Sequence, residues 1–165
     1  MPTTFHLDVN GGRHAVRCEP DAPLLYVLRN DLGLHSPKFG CGAAQCGSCA
    51  VLLDGHELRS CVMPVSAVGQ GRLTTLEGLA RRPDGAARDA LHPLQQAFLD
   101  EQAAQCGYCT SGMIIAAKAL LDSTARPDEA QVRSALDGHV CRCGAHNRIV
   151  KAVLRASDAM AGGAR

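Results

Sequence analysis

The chain has 165 residues, with 17 lysines and arginines against 16 aspartates and glutamates, so its formal net charge is +1. This near balance argues against a nucleic-acid or membrane partner held by bulk electrostatics. Aromatic residues make up 3% of the chain and tryptophan is absent, which leaves little for base stacking. The longest apolar stretches, such as 113–121, are interrupted by Lys118 and are too short to span a bilayer.

The first predicted elements are a hairpin and a short helix. Apolar residues alternate with polar ones over 5–9 and resume over 15–18, and the Asn10-Gly11 pair between them is typical of a tight turn. Leucines and a valine then recur three and four residues apart between Pro23 and Gly33. This spacing predicts a helix that packs on the sheet.

The next segment, 39–49, contains three cysteines in the spacing C-x4-C-x2-C, and a fourth cysteine follows later in the chain. This is the spacing of the plant-type 2Fe-2S ferredoxins. Glycines at 40, 42 and 47 allow the backbone to wrap tightly and to bring its N–H groups close to the sulfurs. The predicted thiolate ligands of a first 2Fe-2S cluster are therefore Cys41, Cys46, Cys49 and Cys61.

Two other uses of these cysteines fit the pattern less well. A disulfide framework belongs to small secreted domains, whereas this chain is long enough to bury a core, shows no signal peptide and has nine cysteines, an odd number. A structural zinc site usually takes paired C-x2-C knuckles rather than three ligands on one loop. The unpaired cysteine, Cys18, is expected to be a small buried hydrophobe on a strand.

Further strands are predicted at 50–53 and 58–61, around an Asp54-Gly55 turn, and at 72–76. The order of strands, helix, cysteine loop and strands is that of a β-grasp domain. We assign this domain to residues 1–78 and a linker without apolar periodicity to 79–90.

The remainder, residues 91–160, is helical in pattern, and residues 161–165 are expected to form a mobile tail. The predicted fold class is therefore α+β, with an N-terminal β-grasp domain followed by a four-helix domain. The four helices are predicted at 91–102, 111–122, 128–136 and 147–160.

The helical half carries its own cysteine set, a C-x2-C pair and a C-x-C pair, each placed before a predicted helix. If the helix pairs pack antiparallel, the thiols meet between two helix N-termini, where the helix dipoles favour negative charge. The predicted ligands of a second 2Fe-2S cluster are Cys106, Cys109, Cys141 and Cys143.

Three alternatives apply to this second set. A redox-active dithiol is disfavoured because no βαβ pattern surrounds Cys106. Rieske-type ligation needs two histidines, and although His146 lies near Cys143, no histidine matches it beside the C-x2-C pair. Zinc stays open, but a C-x-C arm is poor for a zinc knuckle.

Five stretches, at 39–49, 53–61, 74–79, 105–109 and 141–144, form a specific combined pattern. In this pattern the chain resembles the small iron-sulfur subunit of the xanthine dehydrogenase and aldehyde oxidase family of molybdenum hydroxylases. Ser111, where proline is commoner, together with the segments 142–144 and 147–149, is similar to the isoquinoline oxidoreductase and nicotinate dehydrogenase type of small chain.

The resemblance implies a plant-type ferredoxin domain, a helical 2Fe-2S domain and an electron-transfer role. A separate large subunit would hold the molybdopterin cofactor and hydroxylate a carbon with oxygen from water. Electrons would leave through this chain to an acceptor such as a flavin subunit or a cytochrome. In the family, the residues that match Gln105 and Cys143 approach the pterin. No dinucleotide fingerprint or nucleophile constellation predicts a substrate site in this chain.

Two further function classes stay open at this point. A free-standing two-cluster ferredoxin should show a strongly charged docking face, whereas this chain is nearly neutral. A zinc-stabilised interaction module would have no redox role. A cytoplasmic location is expected because no signal is evident; the alternative is an exported complex in which another subunit carries the signal.

Overall fold

The computed structural model describes residues 1–80 and 91–162. A five-stranded sheet comes first and a helical region follows, which confirms the predicted α+β class. The strands are β1 (Thr3–Val9), β2 (Gly12–Cys18), β3 (Ala50–Leu53), β4 (His56–Arg59) and β5 (Arg72–Thr74). The helices are α1 (Leu24–Tyr26), which continues as a π-helical turn over Val27–Asp31, then α2 (Leu76–Leu79), α3 (Pro93–Asp100), α4 (Thr110–Ser123), α5 (Glu129–Leu136) and α6 (His146–Gly162), with a 3-10 turn at Val65–Ala67.

The sheet has the strand order β2-β1-β5-β3-β4, with β1 and β5 parallel and the other pairs antiparallel. Both predicted hairpins form, and their two-residue turns are the reason. Asn10 and Gly11 have φ of 55° and 80°, and Asp54 and Gly55 have φ of 50° and 84°. Positive φ at both central positions gives the turn type whose twist matches that of the paired strands.

Two predicted strand ends differ from the structure. The fourth strand spans His56–Arg59 rather than 58–61, so Cys61 lies just beyond it. The last strand ends at Thr74 because the N–H of Thr75 donates to the side chain of Asn10, at 2.9 Å, rather than to a neighbouring strand. Leu76, predicted in a strand, instead begins α2.

The helical half matches the predicted pattern within a few residues at each end. Two helices begin with reciprocal capping interactions: His92 with Gln95 before α3, and Asp128 with Gln131 before α5. Such capping boxes satisfy backbone N–H groups that have no partner inside the helix. The predicted linker (79–90) and tail (161–165) fall largely outside the described residues, so those boundaries stay predictions.

Strand β3 has both of its faces buried. Val51 points into the core of the first half, which also contains Leu7, Leu28 and Leu73. Ala50 and Leu52 point the other way and belong to the core of the helical half. Because side chains alternate across a strand, the continuous apolar run of β3 serves two cores at once. The two halves are therefore packed directly against each other.

Helix α4 lies close to the first half at Gly112. A Cβ atom built on Gly112 would lie 2.1 Å from the carbonyl oxygen of Gly47, in the cysteine loop of the first half. The obstructing atom is backbone and cannot rotate away. Only glycine fits at this position without moving the loop or the helix.

The change Gly112→Ala should therefore destabilise the protein by about 1–3 kcal/mol or more, because the new methyl group overpacks the contact. The matched control is Gly162→Ala, at a helical site where a Cβ would meet nothing within 4 Å. That change should be neutral or stabilise by up to about 1 kcal/mol. Urea unfolding followed by circular dichroism measures both, and equal midpoints for the two variants would contradict the contact.

Candidate metal centres

The first centre lies where the cysteine loop meets the β3–β4 hairpin. Cys49 directly precedes β3 and Cys61 follows β4 by two residues, so the hairpin returns Cys61 to the side of Cys49. Both are buried, with exposed fractions of 1% and 9%, and they form a small buried cluster with Leu25. The hydroxyl of Ser60 donates to the carbonyl of Cys49 at 2.7 Å and fixes this return. The local fold therefore brings the distant fourth cysteine to the loop.

The other two thiols of this centre are surrounded by backbone N–H groups. The Sγ of Cys41 accepts from the amides of Ala43 at 3.4 Å, Gln45 at 3.2 Å and Cys46 at 3.3 Å. The Sγ of Cys46 accepts from the amide of Cys41 at 3.3 Å. The hydrogen bond from Ala43 is the main cause that lowers the pKa of Cys41 to about 7. Such amides stabilise the negative charge of a thiolate or of a cluster.

Two glycines make this wrapping possible. A Cβ on Gly40 would lie 2.6 Å from the Sγ of Cys46, so a side chain there would displace the sulfur. Gly47 has φ of 78° and a Cβ on it would lie 2.2 Å from the ring of His139. The sequence predicts that both positions need glycine, and the structure confirms a crowded site at the first and both crowding and positive φ at the second.

The second centre lies between the beginnings of α4 and α6. Cys109 is the residue that precedes α4, and Cys141 and Cys143 come shortly before α6. The Sγ atoms of Cys143 and Cys106 are 3.6 Å apart. The amide of Ala145 donates to the Sγ of Cys141 at 3.4 Å. The structure therefore brings all four predicted residues of this set together.

The thiols of the second centre differ in burial and in the direction of their pKa shifts. Burial, followed by the interaction with Cys141, raises the pKa of Cys109 to about 12. Burial acts to raise the pKa of Cys141, but hydrogen bonds, chiefly the one from the amide of Ala145, lower this pKa overall. The exposed Cys106 has a lowered pKa, chiefly because the amide of Tyr108 donates to it. Each centre thus contains one strongly desolvated thiol, Cys49 or Cys109, and one exposed thiol that accepts amide hydrogen bonds, Cys41 or Cys106.

The sulfurs of each centre meet in pairs. Cys41 contacts Cys46 and Cys49 contacts Cys61, while in the second centre Cys106 contacts Cys143 and Cys109 contacts Cys141. Within residues 1–80 and 91–162, no three histidine, cysteine, aspartate or glutamate side chains are arranged to hold a single metal ion. Two pairs of thiols fit a binuclear cluster, in which each iron takes two protein ligands. None of the nine cysteines forms a disulfide in the described structure.

The two predicted pterin-facing residues are also brought together. The side-chain amide of Gln105 is exposed, and its Nε2 donates to the carbonyl of Cys143 at 3.4 Å. Because an amide carries two donor hydrogens and an acceptor oxygen, one interaction leaves capacity for another partner. Gln105 and Cys143 therefore lie side by side at the outer surface of the second centre.

One backbone hydrogen bond links the two centres directly. The amide of Val140, which precedes Cys141, donates to the carbonyl of Cys46 at 3.0 Å. The sequence does not predict this contact. A backbone bond between distant loops leaves no mark on residue type, so no sequence signal points to it.

A buried polar group lies beside this link and is also missed by the sequence pattern. His139 is 3% exposed, and its Nε2 lies 3.0 Å from Oε1 of Glu57 and 2.9 Å from Arg59 of β4. Arg59 also donates to Glu57 and, at 3.0 Å, to the carbonyl of Gly138. These bonds fasten the segment before Cys141 to the hairpin that carries Cys61. The short spacing between His139 and Cys141 is the available signal, but a single histidine is more often structural.

Comparisons with known proteins agree with this geometry. Residues 7–74 match the family of 2Fe-2S iron-sulfur cluster binding domains, and residues 75–154 match the family of 2Fe-2S binding domains. One of the subunits of nicotinate dehydrogenase from Pseudomonas putida is 51% identical over 158 residues, which cover 96% of this chain and 97% of that protein. The chain belongs to the iron-sulfur subunits of the xanthine dehydrogenase and aldehyde oxidase family. It is thus an oxidoreductase subunit with two 2Fe-2S clusters.

Other members of the family extend the comparison. The alpha subunit of isoquinoline 1-oxidoreductase from Brevundimonas diminuta is 48% identical over 83% of this chain and 86% of its own length. The crystal structure of quinoline 2-oxidoreductase from Pseudomonas putida 86 superposes with a TM-score of 0.89, at 31% identity over 98% of each chain. Aldehyde oxidoreductase from Desulfovibrio desulfuricans superposes with a TM-score of 0.88, but only 17% of that longer chain is covered. Among the described residues, none of the helices combines the length and apolarity needed to cross a bilayer.

The ninth cysteine offers a test of the ligand assignment. Cys18 lies at the end of β2, packs against the core of the first half, and has a pKa raised by burial. The change Cys18→Ser should retain both clusters and cost at most about 1–3 kcal/mol if the hydroxyl is buried without a partner. Cys49→Ser should lose or distort the first cluster. Iron content and visible absorption measure both, and loss of iron from the Cys18 variant would overturn the assignment.

Proposed function

We propose that this chain is the electron-transfer subunit of a molybdenum hydroxylase. It takes electrons from a large subunit that holds the molybdopterin cofactor and passes them through its two clusters to an external acceptor. Support comes from the two cysteine centres and from relatives that are small iron-sulfur subunits of dehydrogenase complexes. A bound 2Fe-2S cluster supplies one-electron redox chemistry, at a potential set by its ligands and surroundings.

The ligands follow from the pairs of thiols. In the first cluster, Cys41 and Cys46 would hold one iron and Cys49 and Cys61 the other. In the second cluster, the corresponding pairs are Cys106 with Cys143 and Cys109 with Cys141. The chain's own contribution is to desolvate Cys49 and Cys109 and to offer amide donors to Cys41, Cys106 and Cys141, and both factors tune a cluster's potential.

The hydrogen bond between Cys46 and Val140 is the observation that carries this proposal. It joins a proposed ligand of the first cluster to the residue beside a proposed ligand of the second. Two redox centres held this close by backbone atoms suit a relay, in which an electron moves from one cluster to the other inside a single chain. A zinc-stabilised interaction module would need no such link between its sites.

Electrons would enter the chain at the second centre and leave it at the first. Gln105 and Cys143 lie at the outer surface of the second centre, where a pterin of the large subunit would contact them. Cys41 is exposed at the first centre, which would face the acceptor, a flavin subunit or a cytochrome. The cytoplasmic location stays a prediction.

A permanent partner is favoured over a free ferredoxin. In aldehyde oxidoreductase of Megalodesulfovibrio gigas, the region similar to this chain makes up 17% of a longer protein, at 40% identity. The same unit therefore occurs covalently joined to further domains, which suits a permanent interface. Relatives named for nicotinate, isoquinoline and quinoline suggest nitrogen heteroaromatic compounds as the first substrates to test.

The cluster content tests the redox role. The isolated protein should contain about four irons and four acid-labile sulfides per chain, as two 2Fe-2S clusters require. Because one centre lies in an amide-rich loop and the other at helix ends, stepwise reduction should give two distinct paramagnetic species. Stoichiometric zinc without visible charge-transfer absorption would refute the proposal, and a single species at full iron content would refute the distinction between the clusters.

The entry point is tested by Gln105→Ala in the complex with the large subunit. Both clusters should assemble, because Gln105 is not a ligand, but reduction of the clusters by substrate should slow, because the amide contact to the pterin is lost. Gln96→Ala, at an exposed helical glutamine bonded to Asp100, is the matched control. Stopped-flow absorption with nicotinate as the first substrate measures the rate. Equal rates for the two variants would show that entry does not depend on Gln105.

A further inference from the structure

A short segment, residues 34–38, connects the first helix to the cysteine loop. Arg29 donates to its carbonyls at His35 and Pro37, at 3.1 and 2.7 Å, and the carboxylate of Glu77 binds Ser36. The amide of Ser36 donates to Oε1 of Glu77 at 2.8 Å, and the Ser36 hydroxyl donates to Oε2. The hydroxyl of Thr75 also donates to Oε2, at 2.5 Å. Hydrogen bonds to an ionised acceptor are roughly twice as strong as neutral ones. Glu77 therefore anchors this segment strongly.

The same segment contacts both cysteine centres. The carbonyl of Ser36 accepts from the buried hydroxyl of Ser111 at 2.5 Å, and Ser111 lies two residues after Cys109. The amide of Lys38 donates to the carbonyl of Ser48 at 2.9 Å, next to Cys49. Segment 34–38 is thus bonded to the start of α4 on one side and to the first cysteine loop on the other.

The backbone around Glu77 is itself fixed by Asn10, in the turn of the first hairpin. Asn10 accepts from the amide of Thr75 at 2.9 Å and donates to the Thr75 hydroxyl at 3.0 Å. A Cβ on Gly78 would lie 2.1 Å from the Asn10 side chain, so α2 sits directly on the first hairpin turn. The residues on either side of Glu77 are therefore fixed to the sheet of the first half.

The carboxylate of Glu77 is half-buried and stays ionised through hydrogen bonding. Burial acts to raise its pKa, but the bonds from Ser36 and Thr75 outweigh burial and lower it. Among the described residues Glu77 makes no ion pair, although it interacts electrostatically with Lys38, whose own pKa is lowered mainly by burial. A half-buried charge held by hydrogen bonds alone is sensitive to the loss of any one donor.

We propose that Glu77 is a positioning residue that, through Ser36, holds the two cluster-bearing loops at a fixed separation and so sets the coupling between the clusters. The proposal rests on the proposed function, since it presupposes two paramagnetic clusters. The Cys46–Val140 hydrogen bond joins the two loops at one point, and the contacts of His139 with Glu57 lie beside it. The Glu77 contacts form a separate tie that reaches Ser111 in the first turn of α4.

The experiment compares Glu77→Ala, Glu77→Gln and the control Glu129→Gln in the fully reduced protein with both clusters. Low-temperature electron paramagnetic resonance reads the magnetic splitting between the clusters, which depends on their separation and orientation. Glu77→Ala should shift or broaden this splitting, because the donors of Ser36 lose their acceptor. Glu77→Gln should retain most of it, because an amide can accept from the Ser36 N–H and donate to a hydroxyl. Within residues 1–80 and 91–162, Glu129 forms an ion pair with Arg133 alone, on the surface of α5, so its change should have no effect.

The splitting is read in folded protein at full iron content, so a mere loss of stability would not alter it. If Glu77→Ala fails to assemble, Ser111→Ala removes only the hydroxyl that joins α4 to Ser36 and should shift the splitting in the same way. An unchanged splitting in Glu77→Ala, or in Ser111→Ala where the first variant does not fold, overturns the proposal. Failure of the proposed function would look different, because the unaltered protein would then lack two paramagnetic species.

Discussion

The direct backbone contact between the two cysteine loops constrains most of the surrounding structure. The carbonyl of Cys46 accepts from Val140, and the next carbonyl, that of Gly47, lies against α4 where only a glycine fits. Backbone atoms cannot rotate away as side chains can, so the loops tolerate little relative movement. The glycines at 47 and 112 and the buried ring of His139 are consequences of this one close approach.

Within each centre, the environment of the thiols changes across a short distance. Burial raises the pKa of Cys49 to about 11 and that of Cys109 to about 12. The outer thiols, Cys41 and Cys106, are exposed and receive amide hydrogen bonds that lower their pKa. A cluster bound in either place would have one side against the core and one side toward a partner. This difference between the two sides is compatible with an electron-transfer role.

Local features are predictable from the sequence and contacts between the halves are not. The cysteine groups, both hairpin turns and the helices follow from spacing and turn chemistry, which act over a few residues. The predicted end of β5 is wrong because the strand ends where Thr75 bonds to the side chain of Asn10, which lies 65 positions earlier in the chain. The sequence pattern leaves Glu77 close to a linker, whereas its hydrogen bonds join it to the segment 34–38, which contacts both centres. The apolar run of β3 is the one local sign that both faces of the sheet are covered.

The shared strand has a consequence for how the chain can be divided. If the first half were produced alone, Ala50 and Leu52 would lose their cover and leave an apolar sheet face in water. If the second half were produced alone, α4 would expose the side that normally meets β3. Exposed apolar surface of this kind promotes association with other chains. Because each half covers apolar surface of the other, the chain divides poorly into two independently stable pieces.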